Sequence, residues 1–352
     1  MSGLLRAEGV DILPPMNIRR FLTVLAFALV PGTLPAQSPL TDDGRVRVGV
    51  VKNPYHGSRN VPELSLNPDY IHAAGLERLL ERWDALLTEP IREVRLTDEE
   101  QEQYGKWNRL GMANGHLAEI VSENARRDLL TVGLEANCNS VIGVLGGLQS
   151  SGPDGSRRRV GLVFIDAHGD FNTPETTLSG MLGGMPVAVS AGHALDRLRL
   201  KSGLADPVPV DHIVWGGVRD LDPLEAERFE EYGVRQISVA DIRTLSENLH
   251  RQMRHLSEST DVIYVHIDMD VLDPAEVPGH DLNVPDGPTS EELAAALAEI
   301  FAYPKAAALG IASTPAGSDD PDEVSRRAAL SLIHGAVEGV KARASSVSGG
   351  GR

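Results

Sequence analysis

Apolar residues fall into short, nearly unbroken runs separated by longer amphipathic stretches over most of this chain. The runs at 46–51, 129–134, 160–165, 212–215, 236–239, 262–267 and 306–311 are predicted strands. Several lack polar positions, the pattern of strands covered on both faces. A helical period is clearest at 68–87, 98–124, 290–301 and 321–341. Strands alternating with helices predict an α/β protein, a three-layer α/β/α sandwich around a mostly parallel sheet. With no internal repeat and no segment of linker composition, 37–345 reads as a single domain and the Ser/Gly-rich 346–352 as a flexible tail.

The first 36 residues follow a different pattern. From Met16 a basic pair, Arg19 and Arg20, precedes an apolar run over 21–30 and a Pro/Gly-containing stretch ending Leu34-Pro35-Ala36-Gln37. That is the layout of a secretory signal peptide with cleavage after Ala36, although Leu34 is larger than the residue usual there. It predicts an exported protein, periplasmic or secreted, with translation starting at Met16. The run is shorter than the roughly 20 residues of a permanent membrane span. The alternative is a tail followed by a buried apolar segment, which would leave the protein in the cytoplasm.

At 352 residues and 41% hydrophobic, the chain can bury a large core. Its 33 basic against 50 acidic residues, net charge −17, argue against nucleic acid as a partner, because phosphate binding needs a cationic face. The single cysteine, Cys138, excludes an intramolecular disulfide.

The candidate chemistry sits where two strands end. The run 160–165 leads into Asp166-Ala167-His168-Gly169-Asp170, and 262–267 into Asp268-Met269-Asp270. If both segments stay extended, alternation puts Asp166, His168 and Asp170 on one side and Asp268 and Asp270 on one side. Carboxylates plus imidazole suit manganese, zinc or iron. A lone acidic residue after a strand is ordinarily a cap. Two such clusters, one containing His, are too costly to bury without a cation.

At these residues the chain resembles the ureohydrolase superfamily of arginase, agmatinase, guanidinobutyrase and formimidoylglutamase. DAHGDFNTPETTLSG and HIDMDVLDP are similar to its two metal motifs, and GVRDLDPLE to a third segment. The resemblance implies an arginase-like fold, two Mn2+ ions and a metal-activated hydroxide that cleaves a linear C–N bond in a guanidino or amidino compound. Asp166 and Asp268 would bridge the ions, with Asp170 on one and His168 and Asp270 on the other. Asp166, His168 and Asp268 are the expected catalytic set. Asn172, Ser179 and Asp222 match substrate-binding positions, Asp273 would orient its loop, and a homo-oligomer, trimer or hexamer, is expected.

Three departures bear on these expectations. Cys138 stands where the family has a metal-binding His, so it is either a sixth ligand favouring Zn2+ or Fe2+, or a small buried thiol. Gln149 offers a rival placement of that motif. Gly183 replaces a proton-transferring His, and residues 310–315 lack the acidic group that holds a guanidinium unless Asp319, Asp320 or His280 reaches in. A guanidinium would lose a charge-assisted hydrogen bond worth about 1.5–3 kcal/mol. His56, His116 and His280 are weaker candidates. The competing reading is a non-catalytic exported protein that binds a metal or small molecule on the same fold.

Overall fold

The computed structural model describes residues 38–55 and 65–348. Residues 1–36, expected to be a signal peptide, His56 and residues 349–352 lie outside them. The strands are β1 (Val46–Asn53), β2 (Ala85–Leu87), β3 (Arg92–Glu93), β4 (Leu130–Glu135), β5 (Val160–Ile165), β6 (Ile213–Gly216), β7 (Arg235–Ile237), β8 (Val262–Asp268) and β9 (Ala306–Ala312). They form one 9-stranded sheet in the order β2-β1-β4-β9-β8-β5-β6-β7, with β3 also on β1. Every pairing between named strands is parallel.

Alternation along the strands splits the core into two layers. Val163, Ile165, Ile263 and Val265 pack with residues from the helices Glu247–Ser259, Ser290–Phe301 and Val324–Ser348. On the opposite face Leu162, Phe164, Val262 and Tyr264 pack with residues from Lys106–Arg126, Ser140–Gln149 and Pro223–Tyr232. This is the expected three-layer sandwich, its central strands apolar on both faces.

Two predicted helices are interrupted. The 68–87 stretch contains helices Asn67–His72 and Leu76–Arg82, parted at Gly75 with φ +82°, and ends in β2. The 98–124 stretch divides at Gly105, φ +90°, into Asp98–Gln101 and Lys106–Arg126. Left-handed backbone ends a helix, and glycine adopts it without a Cβ penalty. Val239, expected to end a strand, instead opens the helix Val239–Thr244, capped by Ser238. The last helix runs to Ser348, past residue 346 where the tail was expected to begin. The unpredicted helix Ser140–Gln149 is buried at every position, so it shows no polar period. No described helix is long and apolar enough to cross a membrane.

The topology matters for the site. After β4 the chain crosses to β5, leaving a gap that β8 and β9 later fill. The carboxyl ends of β4, β9, β8 and β5 are therefore neighbours, at the kind of crevice where α/β sheets bind ligands.

Candidate metal centre and its pocket

Each of those four strand ends delivers a polar side chain to one place. Beyond β5, the Asp166 amide still bonds Gly216 O at 2.9 Å, which holds the segment against β6 before it turns away. His168 Nδ1 lies 3.2 Å from Asp166 Oδ1 and 3.1 Å from Asp270 Oδ2, so the two strand ends meet at this imidazole. Past β4, the Cys138 thiol donates to Asp268 Oδ2 at 2.7 Å and lies 4.0 Å from Asp166 Oδ2. From the end of β9, Ser313 Oγ donates to the same Asp268 oxygen at 2.7 Å.

The route to this convergence differs from simple alternation. Asp170 sits at φ +47°, and Met269–Val271 form a single 3-10 turn in which Asp268 Oδ1 accepts from the Asp270 amide at 3.1 Å. A compact bend, not an extended run, thus brings Asp170 and Asp270 inward. Asp tolerates the left-handed region better than most residues. Neighbours hold both bends. Trp215 Nε1 donates to Gly169 O at 2.8 Å, and Glu225 Oε1 accepts from the Phe171 amide at 2.7 Å. Arg219 reaches Val284 O at 2.7 Å and Asp270 O at 3.4 Å, tying the segment after β6 to the one after β8.

Burial makes the cage short of positive charge. Asp166 is 1% exposed, Asp270 2%, Asp268 5% and Asp170 7%. Burial raises the Asp268 carboxyl above its ordinary range, with the charge of Asp270 adding to it, and does the same to Asp270 beside Asp166. Asp170 is pushed well above that range by burial and then by Asp166. The Cys138 thiol is likewise driven well up by burial and by Asp268, Asp170 and Asp166. His168 goes the other way: burial opposes its protonation, but its bonds to Asp166 and Asp270 prevail and lift it to about 12. All these shifts express one deficit, since each group takes up or keeps a proton to offset crowded anions.

A divalent cation would meet the same need. Cys138, Asp166 and Asp170 form one set with donor atoms within 4.8 Å of one another; Asp166, His168 and Asp270 form a second, and Asp268, Asp270 and His280 a third. Because Asp166 belongs to two sets and Asp270 to two, the residues fit a pair of ions sharing ligands. Oxygen, imidazole and thiol donors suit manganese, iron or zinc.

The cage forms the floor of a cavity of about 350 Å³. Asn172, Ser179 and Asp222 line it too. Asp222 Oδ2 accepts from Asn172 Nδ2 at 3.2 Å and from the Leu178 amide at 3.3 Å, while Ser179 Oγ accepts from the Met181 amide at 3.1 Å. Asp273 accepts from the Ala275 amide at 3.0 Å, so it shapes its own loop.

The alternatives left open by the sequence now separate. Gln149 bonds the backbone of Asp206 and does not line the cavity. His116 pairs with Glu100, also off the cavity. Asp320, 1% exposed, accepts from the amides of Ser325 and Arg326 and so anchors the last helix. Asp319 and His280 do reach the cavity. Sequence reasoning missed Glu225, whose carboxyl burial raises to about 7 against its bonds from the Phe171 and Asp222 amides. It also missed Ser313 as a partner of Asp268. Glu225 was visible only as the last letter of GVRDLDPLE, and Ser313 only as one residue of an unmatched stretch.

This fold and donor set define an α/β protein with a carboxylate-rich metal cage at the centre of its sheet. A sequence profile of the Arginase family matches residues 46–337, and the chain belongs to that family of hydrolases. It is 29% identical to an arginase of Bacillus caldovelox over 236 residues, which covers 65% of this chain and 77% of the relative. An arginase of Neurospora crassa is 30% identical over 181 residues, half of each chain (50% and 50%). Among solved structures, Bacillus subtilis arginase superposes with TM-score 0.70 at 22% identity, covering 83% of this chain and 98% of the other. Formimidoylglutamase from Bacillus subtilis superposes with TM-score 0.64 at 18% identity, covering 90% and 96%.

Proposed function

We propose that this chain hydrolyses a linear C–N bond in a guanidino or amidino compound. The observation that carries the reading is the meeting of Asp166, His168, Asp170, Asp268 and Asp270 at the floor of one cavity, with the four carboxylates buried and short of positive charge. Two divalent cations, manganese first and zinc or iron if Cys138 binds, would supply a hydroxide at neutral pH and offset charge developing on oxygen.

The chain's own residues set up that chemistry. Asp166, common to two of the donor sets, would be shared; the family resemblance gives Asp268 the same role, with Asp170 and Cys138 on one side and His168 and Asp270 on the other. Binding through Cys138 requires its thiol to give up the proton it now shares with Asp268. Asn172, Ser179 and Asp222 would orient the substrate from the rim. The bends at Asp170 and Asp270, pinned by Trp215, Glu225 and Arg219, keep the donors in place without needing the substrate to organise them.

The test pairs elemental analysis of the purified protein with a screen for ammonia and urea release from guanidino, formimino and ureido compounds. Stoichiometric metal and turnover abolished by a chelator are expected. A second reading, a non-catalytic protein binding metal or small molecules, draws on Gly183 standing where a proton carrier was expected and on the lack of an acidic residue in 310–315. Full metal occupancy with no turnover in that screen would favour it. We also propose export with cleavage after Ala36 and a homo-oligomer, which N-terminal sequencing of the mature protein and light scattering would check.

A further inference from the structure

The loop that follows Asp170 is a wall with two sides. Ser179, Met181 and Gly183 line the cavity over the cage. Their neighbours Gly180 and Leu182, with Thr177 and Met185, line a second space of about 740 Å³, bounded on its far side by the start of helix Lys106–Arg126 and by helix Asp196–Lys201. One thickness of chain separates the two. Both ends of the loop are tied close to the cage: the Asn172 amide donates to Gly184 O at 3.2 Å, and the Val187 amide to Asp170 O at 3.0 Å. What presses on the outer side therefore bears on the inner one.

Apolar walls and a cationic rim define this outer groove. Trp107, Leu182, Met185 and Leu195 supply the walls, and two of them are open to solvent, Trp107 at 44% exposed and Leu195 at 38%. Leu195 also sits at φ +46°, a left-handed conformation that leucine rarely adopts. Backbone strain of this kind gathers at ligand sites. On the rim, Lys106 and Arg197 are exposed and pair with no carboxylate among the described residues. Asp196, an acid in the lining, is already engaged by Arg199 Nη2 at 3.3 Å. No side chain caps the 21-residue helix that begins at Lys106, so its positive end is turned on the groove as well. In a chain of net charge −17, this is a local reversal of sign.

We propose that this groove is a regulatory site for a small amphipathic anion, an aliphatic or aromatic carboxylate, whose binding stiffens the 174–185 loop and with it the cavity wall formed by the loop's inner side. The carboxylate sits between Lys106, Arg197 and the first amides of the helix, with its apolar body against Trp107 and Leu195. An amine of the same shape meets two like charges, and an alcohol leaves both cations unanswered. The charge of the whole chain predicts the opposite order, since an acidic protein attracts amines in general. Selectivity for the anion is therefore a property of the groove alone. The site goes beyond the hydrolase reading and does not depend on it.

The experiment uses the purified full chain with octanoate, octylamine and 1-octanol as probes, binding read by calorimetry and the loop by hydrogen exchange of the 174–185 amides. One octanoate per chain is expected, bound about 10-fold more tightly than either other probe, the worth of two exposed charge contacts. Lys106→Ala combined with Arg197→Ala should erase that preference. Trp107→Ala should weaken octanoate and octanol alike by about 10-fold through lost apolar contact. Trp107→Phe, which keeps a ring, should restore part of the affinity and guards against a misfolded alanine variant. Octanoate at saturation should slow exchange over 174–185 about threefold in wild type, and not at the same concentration in Trp107→Ala. Octylamine bound as tightly as octanoate, no binding of any probe, or variants that bind octanoate like wild type overturn the site. Unchanged exchange over 174–185 with octanoate bound overturns its regulatory role.

Discussion

The floor of the cavity and its walls follow different rules. The floor, made by the segments after β5 and β8, carries the family's acidic motifs, and its side chains are held by backbone and by one another. The walls, made by the segments after β4 and β9 and by the loops at Gly183 and His280, carry Cys138 and Gly183 where the resemblance leads one to expect histidines, and no carboxylate over 310–315 where it leads one to expect an acid. A cation constrains its ligands in charge and position at once, so the floor has little freedom. A substrate constrains only the atoms it touches, and the walls are where a different head group would be accommodated.

The strongest way to break this contrast is to neutralise the floor. Asp268→Asn should lower turnover by about 1,000-fold or more and remove bound metal, because a shared anionic ligand is lost. The same change should raise the melting temperature of the metal-free protein, since one of several buried, mutually repelling carboxylates is gone. Calorimetric metal binding beside melting curves in chelator would show both, and a lowered metal-free melting point would mean the aspartates are not in conflict.

A smaller effect separates the two readings of Cys138. Replacement by His should increase manganese occupancy, and replacement by Ser should weaken zinc binding at one of the two positions by about 10- to 100-fold, the scale of contacts that support a metal site. If neither variant alters metal content or selectivity, the thiol belongs with the inert residues of the core.

Glu225 sharpens the contrast through pH. Its carboxyl is raised to about 7 from 4.5. The folded state therefore keeps a proton that the unfolded chain releases, and the stability this group contributes is full below pH 4.5 and is lost as pH rises towards 7. The melting temperature of metal-free protein should fall across that window, and Glu225→Gln should flatten the fall. Away from the cavity, Gly105→Ala should cost about 1 kcal/mol by denaturant unfolding, because the site has room for a Cβ but holds φ at +90°.

Much of this architecture could be read from periodicity. β5 and the helix Ser290–Phe301 coincide with their predicted spans, and most other strands lie within a residue or two. The apolar runs are legible because sheet strands covered on both sides cannot carry polar residues. What stayed hidden has equally physical causes. Helix Ser140–Gln149 has no solvent face to announce it, and the helix breaks at Gly75 and Gly105 depend on left-handed turns that a helical period overruns. In the site, the candidate donors were legible because carboxylates and histidine after a strand are conspicuous. Their manner of assembly was not, since the bends at Asp170 and over Met269–Val271 are set by bonds to Gly169, Phe171 and Asp268 rather than by local propensity. His280 was a weak candidate for the same reason: nothing near it in sequence announces that its loop returns to Asp268 and Asp270.

The order of the sheet also has a temporal side. β8 and β9 lie at its middle but are synthesised after every other strand, so β4 and β5 have no neighbour on their inner edges until the last third of the chain is available. A nascent chain of this kind cannot lock early. It remains a pair of incomplete half-sheets until residues near 312 leave the ribosome, and Asp166 and Asp170 after β5 wait for β8 to bring Asp268 and Asp270 beside them.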